Sequence, residues 1–386
     1  MTAGLQIPNR NRRSLQAAAG GYTMFGEKPY AKSAAAGSAG ILAIAQSTRG
    51  EAALPAPRTS WATWERHRRS REISKKLGAT LLECDISGLR LKRYAICSVT
   101  TLWSLRSRGT EVLIAQVPSI GLAVLASVWS RLFGIPLFLD AHNAAVRPEG
   151  RSAAFARKIY AWIFRSASGV VVSNPALAQD VEQFGGRPIV LPDPVPDWEV
   201  AASVPSSRQM VMFVASWKGD EPLGIVPEVA LRLGPNIQVC VSGKPDLKRF
   251  PIAQAPPPNL ELLGYLPDQE YRRLLTSADA VVVLTTRSDC LVCGAYEALG
   301  AGRPLILSSH VALRRHFGFA AEFCENSPED VTRAIARILE NRAEYERLSQ
   351  LASKQLREDW QVAFNEFRER LTAAHGRSRR GNIVDG

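Results

Sequence analysis

From about residue 40 onward, short aliphatic or β-branched runs alternate with segments whose apolar positions recur at helical spacing. In the first half the runs that read as strands are Ile41–Gln46, Thr80–Cys84, Glu111–Gln116, Leu137–Asp140, Gly169–Ser173 and Pro188–Leu191. In the second half they are Met210–Ala215, Gln238–Ser242, Leu260–Leu263, Ala280–Leu284, Leu305–Leu307 and Ala321–Phe323. Strands alternating with helices are the sequence form of a doubly wound parallel sheet, so the fold class is α/β. The halves meet at Pro192-Asp-Pro-Val-Pro196-Asp and the polar stretch Ala201–Arg208, where three prolines within five residues disfavour regular structure. Two Rossmann-like domains joined by a hinge follow, and the cleft between such domains is where a ligand is expected. A last helix runs from about Pro328 to Ala374, interrupted around Leu348–Asp359.

The remaining boundaries come from composition. Residues 1–38 carry Arg10, Arg12, Arg13 and a run of Ala and Gly, with no apolar core of signal-peptide length; they read as disordered, and Met24 is an alternative start. The first domain is 39–198, the second 199–355, with a terminal helix at 356–374 and a basic, mobile tail at 375–386. At 386 residues, 46% hydrophobic and 22% charged, the chain has the composition of a soluble globular protein rather than a fibrous or disordered one. The longest apolar stretch, Val112 to Leu139, is broken by Pro118, Arg131, Gly134 and Pro136, and reads as strand, buried helix, strand rather than a membrane span.

The net charge of +12 is concentrated: between Arg58 and Arg108 stand twelve Lys and Arg against four Asp and Glu. Such a region attracts nucleic acid, anionic lipid or diphosphate-bearing substrates through one Coulomb term. No nucleic-acid recognition motif is present, so nucleic acid is not an expected partner. Trp61, Trp64 and Trp103, interleaved with this cluster, fit either an amphipathic surface or core packing. Six scattered cysteines form no disulfide framework, and Cys290-Leu-Val-Cys293 lacks a second ligand pair, so both are read as small packing residues. The absence of G-x-G-x-x-G argues against a nicotinamide-dependent dehydrogenase.

The most informative stretch is Val281 to Ser309, in which a strand, a polar loop, a helix, Gly302-Arg-Pro304 and a second strand follow one another. It places Asp289 and Glu297 eight residues apart, with Gly294 between them. This segment resembles the acid-x7-acid signature of retaining glycosyltransferases of GT-B architecture, the family 4 or group 1 type. The resemblance extends over residues 40–374. It implies an acceptor domain first, a donor domain second, and a terminal helix that crosses back onto the first domain.

The resemblance also assigns roles. Glu297 would hold a ribose diol, Asp289 the donor sugar's hydroxyls, and the backbone N–H groups of Cys290, Leu291, Val292 and Cys293 the diphosphate. His142, at the end of the strand Leu137–Asp140, would hydrogen-bond the transferred sugar, with Asp140 buttressing it or acting as base if the reaction inverts. The family's cations after the first strand of the second domain are replaced here by Ser216 and Glu221. Lys218, and Lys244 beside Gly243, are the candidates to substitute. The run Ser216-Trp217-x-x-Asp220-Glu221 also resembles inverting mannosyltransferases that build lipid-linked sugars. Arg49, Gly50, Gln116 and Ser119 end neighbouring strands and would line the acceptor side.

The expected activity is thus transfer of a sugar from a nucleoside-diphosphate sugar, with no cofactor or metal, to a glycan or lipid-diphosphate acceptor. The expected setting is the cytoplasm or the inner face of a membrane, with peripheral contact through the basic 58–108 region. Two other readings stay open: a sugar-nucleotide epimerase on the same architecture, and a transferase-like subunit that binds without turnover.

Overall fold

A computed structural model describes residues 57–384, except Ser87, Pro118, 151–152, 199–207 and 248–255. The expected strand at 41–46, Arg49, Gly50 and the segment 1–38 lie outside the described residues. Two six-stranded parallel sheets are present. The first contains β1 (Thr59–Thr63), β2 (Thr80–Glu83), β3 (Val112–Val117), β4 (Leu137–Ala141), β5 (Gly169–Val172) and β6 (Pro188–Val190), in the order β2-β1-β3-β4-β5-β6. The second contains β7 (Gln209–Phe213), β8 (Ile237–Ser242), β9 (Leu260–Gly264), β10 (Ala280–Val283), β11 (Leu305–Ser308) and β12 (Ala321–Cys324), in the order β12-β11-β10-β7-β8-β9.

Strands β3, β4, β5, β10 and β11 are buried along their whole length. Their largely apolar runs, interrupted by Gln116, Asp140 and Ser308, follow from helices covering both faces of a parallel sheet. Strand β1 was not anticipated, because Thr-Ser-Trp-Ala-Thr carries no aliphatic run. It is nonetheless nearly fully buried and pairs with both β2 and β3. Trp61 and Trp64 belong to the core, whereas Trp103 is exposed.

The first-domain helices are α1 (Arg68–Leu77), α2 (Arg90–Ser107), α3 (Ile120–Phe133), α4 (Asn143–Val146), α5 (Ala153–Ser166) and α6 (Pro175–Gln183). Side chains of α2, α3, α5 and α6 form one core against the first sheet, and α1 covers the other face. Asn174 caps α6, accepting from Leu177 N at 3.0 Å, with Pro175 in its first turn. The second domain adds α7 (Val226–Leu233), α8 (Asp268–Ser277), α9 (Cys293–Gly300), α10 (Val311–Phe317) and α11 (Pro328–Glu340).

The terminal helix differs from its expectation. The break falls at Asn341, and α12 runs without interruption from Arg342 to Val384, past the expected end near Ala374. Its first half packs Ala352 and Leu356 into the second domain. Its second half packs Trp360, Phe364, Phe367 and Leu371 against Trp61, Ile73 and Phe138 of the first. One helix therefore spans both domains. No helix among the described residues is long and apolar enough to cross a membrane.

In each sheet the chain leaves one central strand in opposite directions: the first reverses between β1 and β3, the second between β7 and β10. The carboxyl ends of strands beside such a reversal form a crevice. The two crevices face each other, as the side-chain contacts below establish.

Candidate active site

The second-domain side of the cleft is built by β10, its loop and α9. Gly294 is required where α9 approaches the end of β7, because a Cβ there would stand 2.8 Å from Val214 Cγ1. This close packing sets the helix N-terminus, with the N–H groups a helix leaves unpaired, at the mouth of the loop carrying Asp289, Cys290, Leu291 and Val292. Leu291 is buried, Cys290 and Val292 are half-buried, and Cys293 is exposed.

Both acids of the segment meet the opposite domain. Glu297 accepts from Arg68 Nη1 of α1 at 2.7 Å and from the Tyr271 hydroxyl of α8. Arg68 also lies over the Trp198 ring. Asp289 is ion-paired with Arg147 at the end of α4, and its carbonyl accepts from Asn174 Nδ2 at 3.0 Å. Burial, aided by the Glu297 carboxylate beside it, holds the Tyr271 hydroxyl well above its usual range.

Between the two domains lies a cavity of about 870 Å³, lined by Asn143, Arg147 and Glu149 from one side and by Trp217 to Asp220 and Thr286 to Asp289 from the other. Three cations border it: Arg147, Lys218 and Arg287. The loop after β7 explains why the expected cations are missing. Glu221 turns back to accept from Ser216 N at 3.0 Å, Ser216 Oγ at 2.7 Å and Lys218 N at 3.1 Å. Trp217 is held at φ 60°, a conformation costly for a side chain of this size, with its Nε1 donating to Ser242 O at 2.8 Å. Ser216 and Glu221 therefore close the loop, while Lys218 stays exposed at the cavity. Gly243, at φ 84°, lets β8 approach this loop, since a Cβ would fall 2.3 Å from Ala215 O. Its role is packing of backbone on backbone. Lys244 is exposed, and the residues lining the cavity do not include it.

The first-domain side centres on a buried arginine that the sequence did not single out. Arg69 donates from Nε to Asp140 at 2.9 Å, from Nη1 to Asp193 of the linker at 2.7 Å, and from Nη2 to Leu191 O at 2.7 Å. Burial works against its charge, but the two carboxylates more than offset this. Burial would likewise raise Asp193, yet Arg69 holds it below the usual carboxylate range. Cys293 Sγ donates to the other Asp193 oxygen at 3.1 Å, and this carboxylate keeps the thiol well above its usual value. Burial pushes Cys290 up to about 11. Both cysteines are neutral thiols, and no metal-holding cluster of His, Cys, Asp and Glu is found among the described residues.

Asp140 itself is 1% exposed, with Oδ1 held by Arg69 and Oδ2 buried without a hydrogen-bond partner. It forms the floor of the site. His142 stands above it, with Nε2 3.7 Å from Asp140 Oδ2 and 2.9 Å from Gln116 Nε2. The Thr63 hydroxyl borders both Gln116 Oε1 and Glu65 O, so Thr63, Gln116 and His142 form one polar chain. Burial pushes His142 down to about 4 against the opposing pull of Asp140, which favours the neutral ring. His67, also lowered by burial, lies with its ring centroid 4.5 Å from that of His142.

Gln116 is buried beneath this pair, and Ser119 caps α3 by accepting from Leu122 N at 3.4 Å. In the first half of the basic region Arg66 pairs with Asp85, Arg71 with Glu83, and Arg68 and Arg69 with the cleft acids, while Lys75 and Lys76 are exposed.

This arrangement matches one family. Residues 43–193 fit the model of a glycosyl transferase 4-like domain, and residues 226–365 fit that of a glycosyl transferase-like domain. The chain belongs to the GT-B glycosyltransferases. Among solved structures, this glycosyltransferase is similar to Anabaena HepE in complex with UDP and glucose (12% identity, TM-score 0.63, 82% of this chain and 100% of that one). It is also similar to sucrose-phosphate synthase from Thermosynechococcus elongatus (14%, 0.58, 80% and 84%). A third is a UDP-forming α,α-trehalose-phosphate synthase from Burkholderia xenovorans in complex with glucose-6-phosphate (14%, 0.57, 73% and 77%). No curated protein matches the glycosyltransferase by sequence.

Proposed function

We propose that this glycosyltransferase moves a sugar from a nucleoside diphosphate to a hydroxyl of a lipid-linked or polysaccharide-precursor glycan, without a metal ion and with retention of configuration. The observation that carries the reading is the placement of the two acids at the second-domain crevice: Asp289 borders the interdomain cavity with Arg147, Lys218 and Arg287, and Glu297 meets Arg68 of the first domain in a smaller pocket beside it. HepE, of the same fold, is described with UDP and glucose, which supports the donor class.

In this reading Glu297 exchanges Arg68 for the ribose diol, and the N-terminus of α9 meets the diphosphate. The three bordering cations face the charge that grows on the leaving group, commonly the largest catalytic contribution. Neutral His142 offers hydrogen bonds to the sugar. Asp140, buried and held through Oδ1 by Arg69, is poorly placed as a general base, which favours retention over inversion. The acceptor proton would then pass to the departing diphosphate. Closure of the hinge excludes water and brings the acceptor hydroxyl to the anomeric carbon.

Calorimetric titration with a panel of nucleoside diphosphates and their sugars, in EDTA, tests the reading. Binding of one nucleotide in the micromolar range, weakened at least about tenfold in Glu297→Ala, is the expected result. No binding by any nucleotide would reject it. Binding without donor hydrolysis or transfer would favour a non-catalytic subunit, the second reading, which the Ser216 and Glu221 replacements support.

A further inference from the structure

Helices α2, α3 and α5 lie side by side on one face of the first sheet, with α3 packed between the other two. Their inner sides form the core, and their outer sides carry large apolar residues into solvent. Val99 and Trp103 of α2 are 68% and 72% exposed, Val128 and Leu132 of α3 46% and 73%, and Phe155 and Trp162 of α5 68% and 41%. The spacing is helical on each element, so these residues line one continuous outer face. Contiguous apolar surface of this kind marks an interaction site.

The charge on the same face is of one sign. Across all three helices there is no Asp or Glu. Lys92, Arg106, Arg131, Arg157, Lys158 and Arg165 are exposed there, and none is ion-paired among the described residues. This contrasts with α1, where Arg68, Arg69 and Arg71 all have carboxylate partners. Arg131 lies over the Trp162 ring, its centroid 4.4 Å from the guanidinium carbon, so cation and aromatic group project together from neighbouring helices.

A protein partner would answer this face with apolar groups and carboxylates in fixed register. An anionic bilayer answers it without register: tryptophan and aliphatic side chains enter the headgroup boundary while Lys and Arg remain among the phosphates. We propose that the outer face of α2, α3 and α5 docks the enzyme onto an anionic lipid surface. The acid-free stretch begins at α2, after the ion-paired segment, and continues onto two helices outside the basic 58–108 region. It stands apart from the donor site and does not depend on the transferase reading.

Sedimentation of the full chain with phosphatidylcholine vesicles, with and without phosphatidylglycerol, tests this in the absence of any nucleotide. The expected result is binding to the anionic vesicles, little to the neutral ones, and release by high salt. Trp103→Ser combined with Leu132→Ser should reduce the bound fraction by about tenfold, with circular dichroism unchanged because both side chains are exposed. Arg131→Gln combined with Lys158→Gln should weaken binding and flatten its salt dependence. No binding to anionic vesicles, equal binding to neutral ones, or binding unchanged in both variants would each overturn the proposal. So would a dimer in solution that the apolar variant dissolves, since the face would then be an interface between copies.

Discussion

At the scale of single residues, Arg69 carries more of this structure than any acid the family signature points to. One guanidinium, 5% exposed, joins the end of β4, the last residue after β6 and the interdomain linker. Arg69→Met would leave Asp140 and Asp193 without their cation, and an uncompensated buried charge costs about 3–5 kcal/mol. Arg69→Lys should recover little, because an ammonium cannot reproduce the fork that reaches three acceptors. Urea denaturation measures both, and a loss below about 1 kcal/mol in the Met variant would contradict this account. The histidines make a second prediction at this scale. His142 and His316 both sit at about 4 in the folded chain, lowered chiefly by burial from an ordinary 6.5. Between those values the unfolded chain binds more protons, so stability is complete above about 6.5 and falls as pH drops toward 4. His316, whose Nε2 lies 2.8 Å from the Tyr296 hydroxyl, is outside the cluster of His67, Gln116 and His142. His316→Gln should therefore make the melting temperature less sensitive to acidification from about pH 7 to about pH 4.5. An unchanged slope would show that His316 titrates normally.

At the scale of elements, the loop between β7 and the 3₁₀ turn Leu223–Ile225 depends on Gly243. Gly243→Ala meets both a left-handed φ and a carbonyl oxygen 2.3 Å from the new methyl group, an obstacle of backbone rather than of a yielding side chain. A loss of about 2 kcal/mol or more is expected by denaturation, with the strained Trp217 loop released. The strands were legible where they are buried on both faces, since β10 is wholly apolar and β11 is apolar up to its last residue, Ser308. Strand β1 was not, because the polar residues Ser60 and Thr63 are buried in it, with Ser60 Oγ 2.8 Å from the Thr110 hydroxyl and Thr63 donating to Gln116. The apparent interruption of α12 has the same origin. Ser349 and Ser353 occupy its buried face, and Ser349 donates to Arg303 O at 3.0 Å. In the site, Asp289, Glu297 and His142 were legible from motifs. Arg68, Arg69 and Arg147 were not, because Arg68 meets Glu297 across 229 residues of sequence and no local pattern announces such a pairing.

At the scale of the whole molecule, three ion pairs cross the cleft: Arg68–Glu297, Arg147–Asp289 and Arg287–Glu149. Their side chains are mostly partly exposed, and the last pair is 4.0 Å apart with Glu149 77% exposed. Partly exposed pairs contribute about 0–1 kcal/mol each, so the closed form is favoured over an open one by only about 1–2 kcal/mol from this source. A bias of that size is within reach of any ligand that prefers one form. It also means that the two acids of the signature are held by the facing domain until something replaces the arginines. Arg68→Ala combined with Arg147→Ala should therefore open the cleft. Small-angle scattering of the variant should give a larger radius of gyration than the wild-type chain at low salt. Raising the salt should expand the wild-type chain toward the variant while changing the variant little, because screening removes the same attraction that the substitutions remove and only the weak Arg287–Glu149 pair is left. Helix α12 sets the limit of the movement: it packs into both domains, so the opening must be a hinge about Pro192–Pro196 that keeps Trp360 and Leu356 in place. If the radius is the same in both proteins at every salt concentration, the ion pairs do not hold the cleft, and the packing of α12 alone fixes the domains.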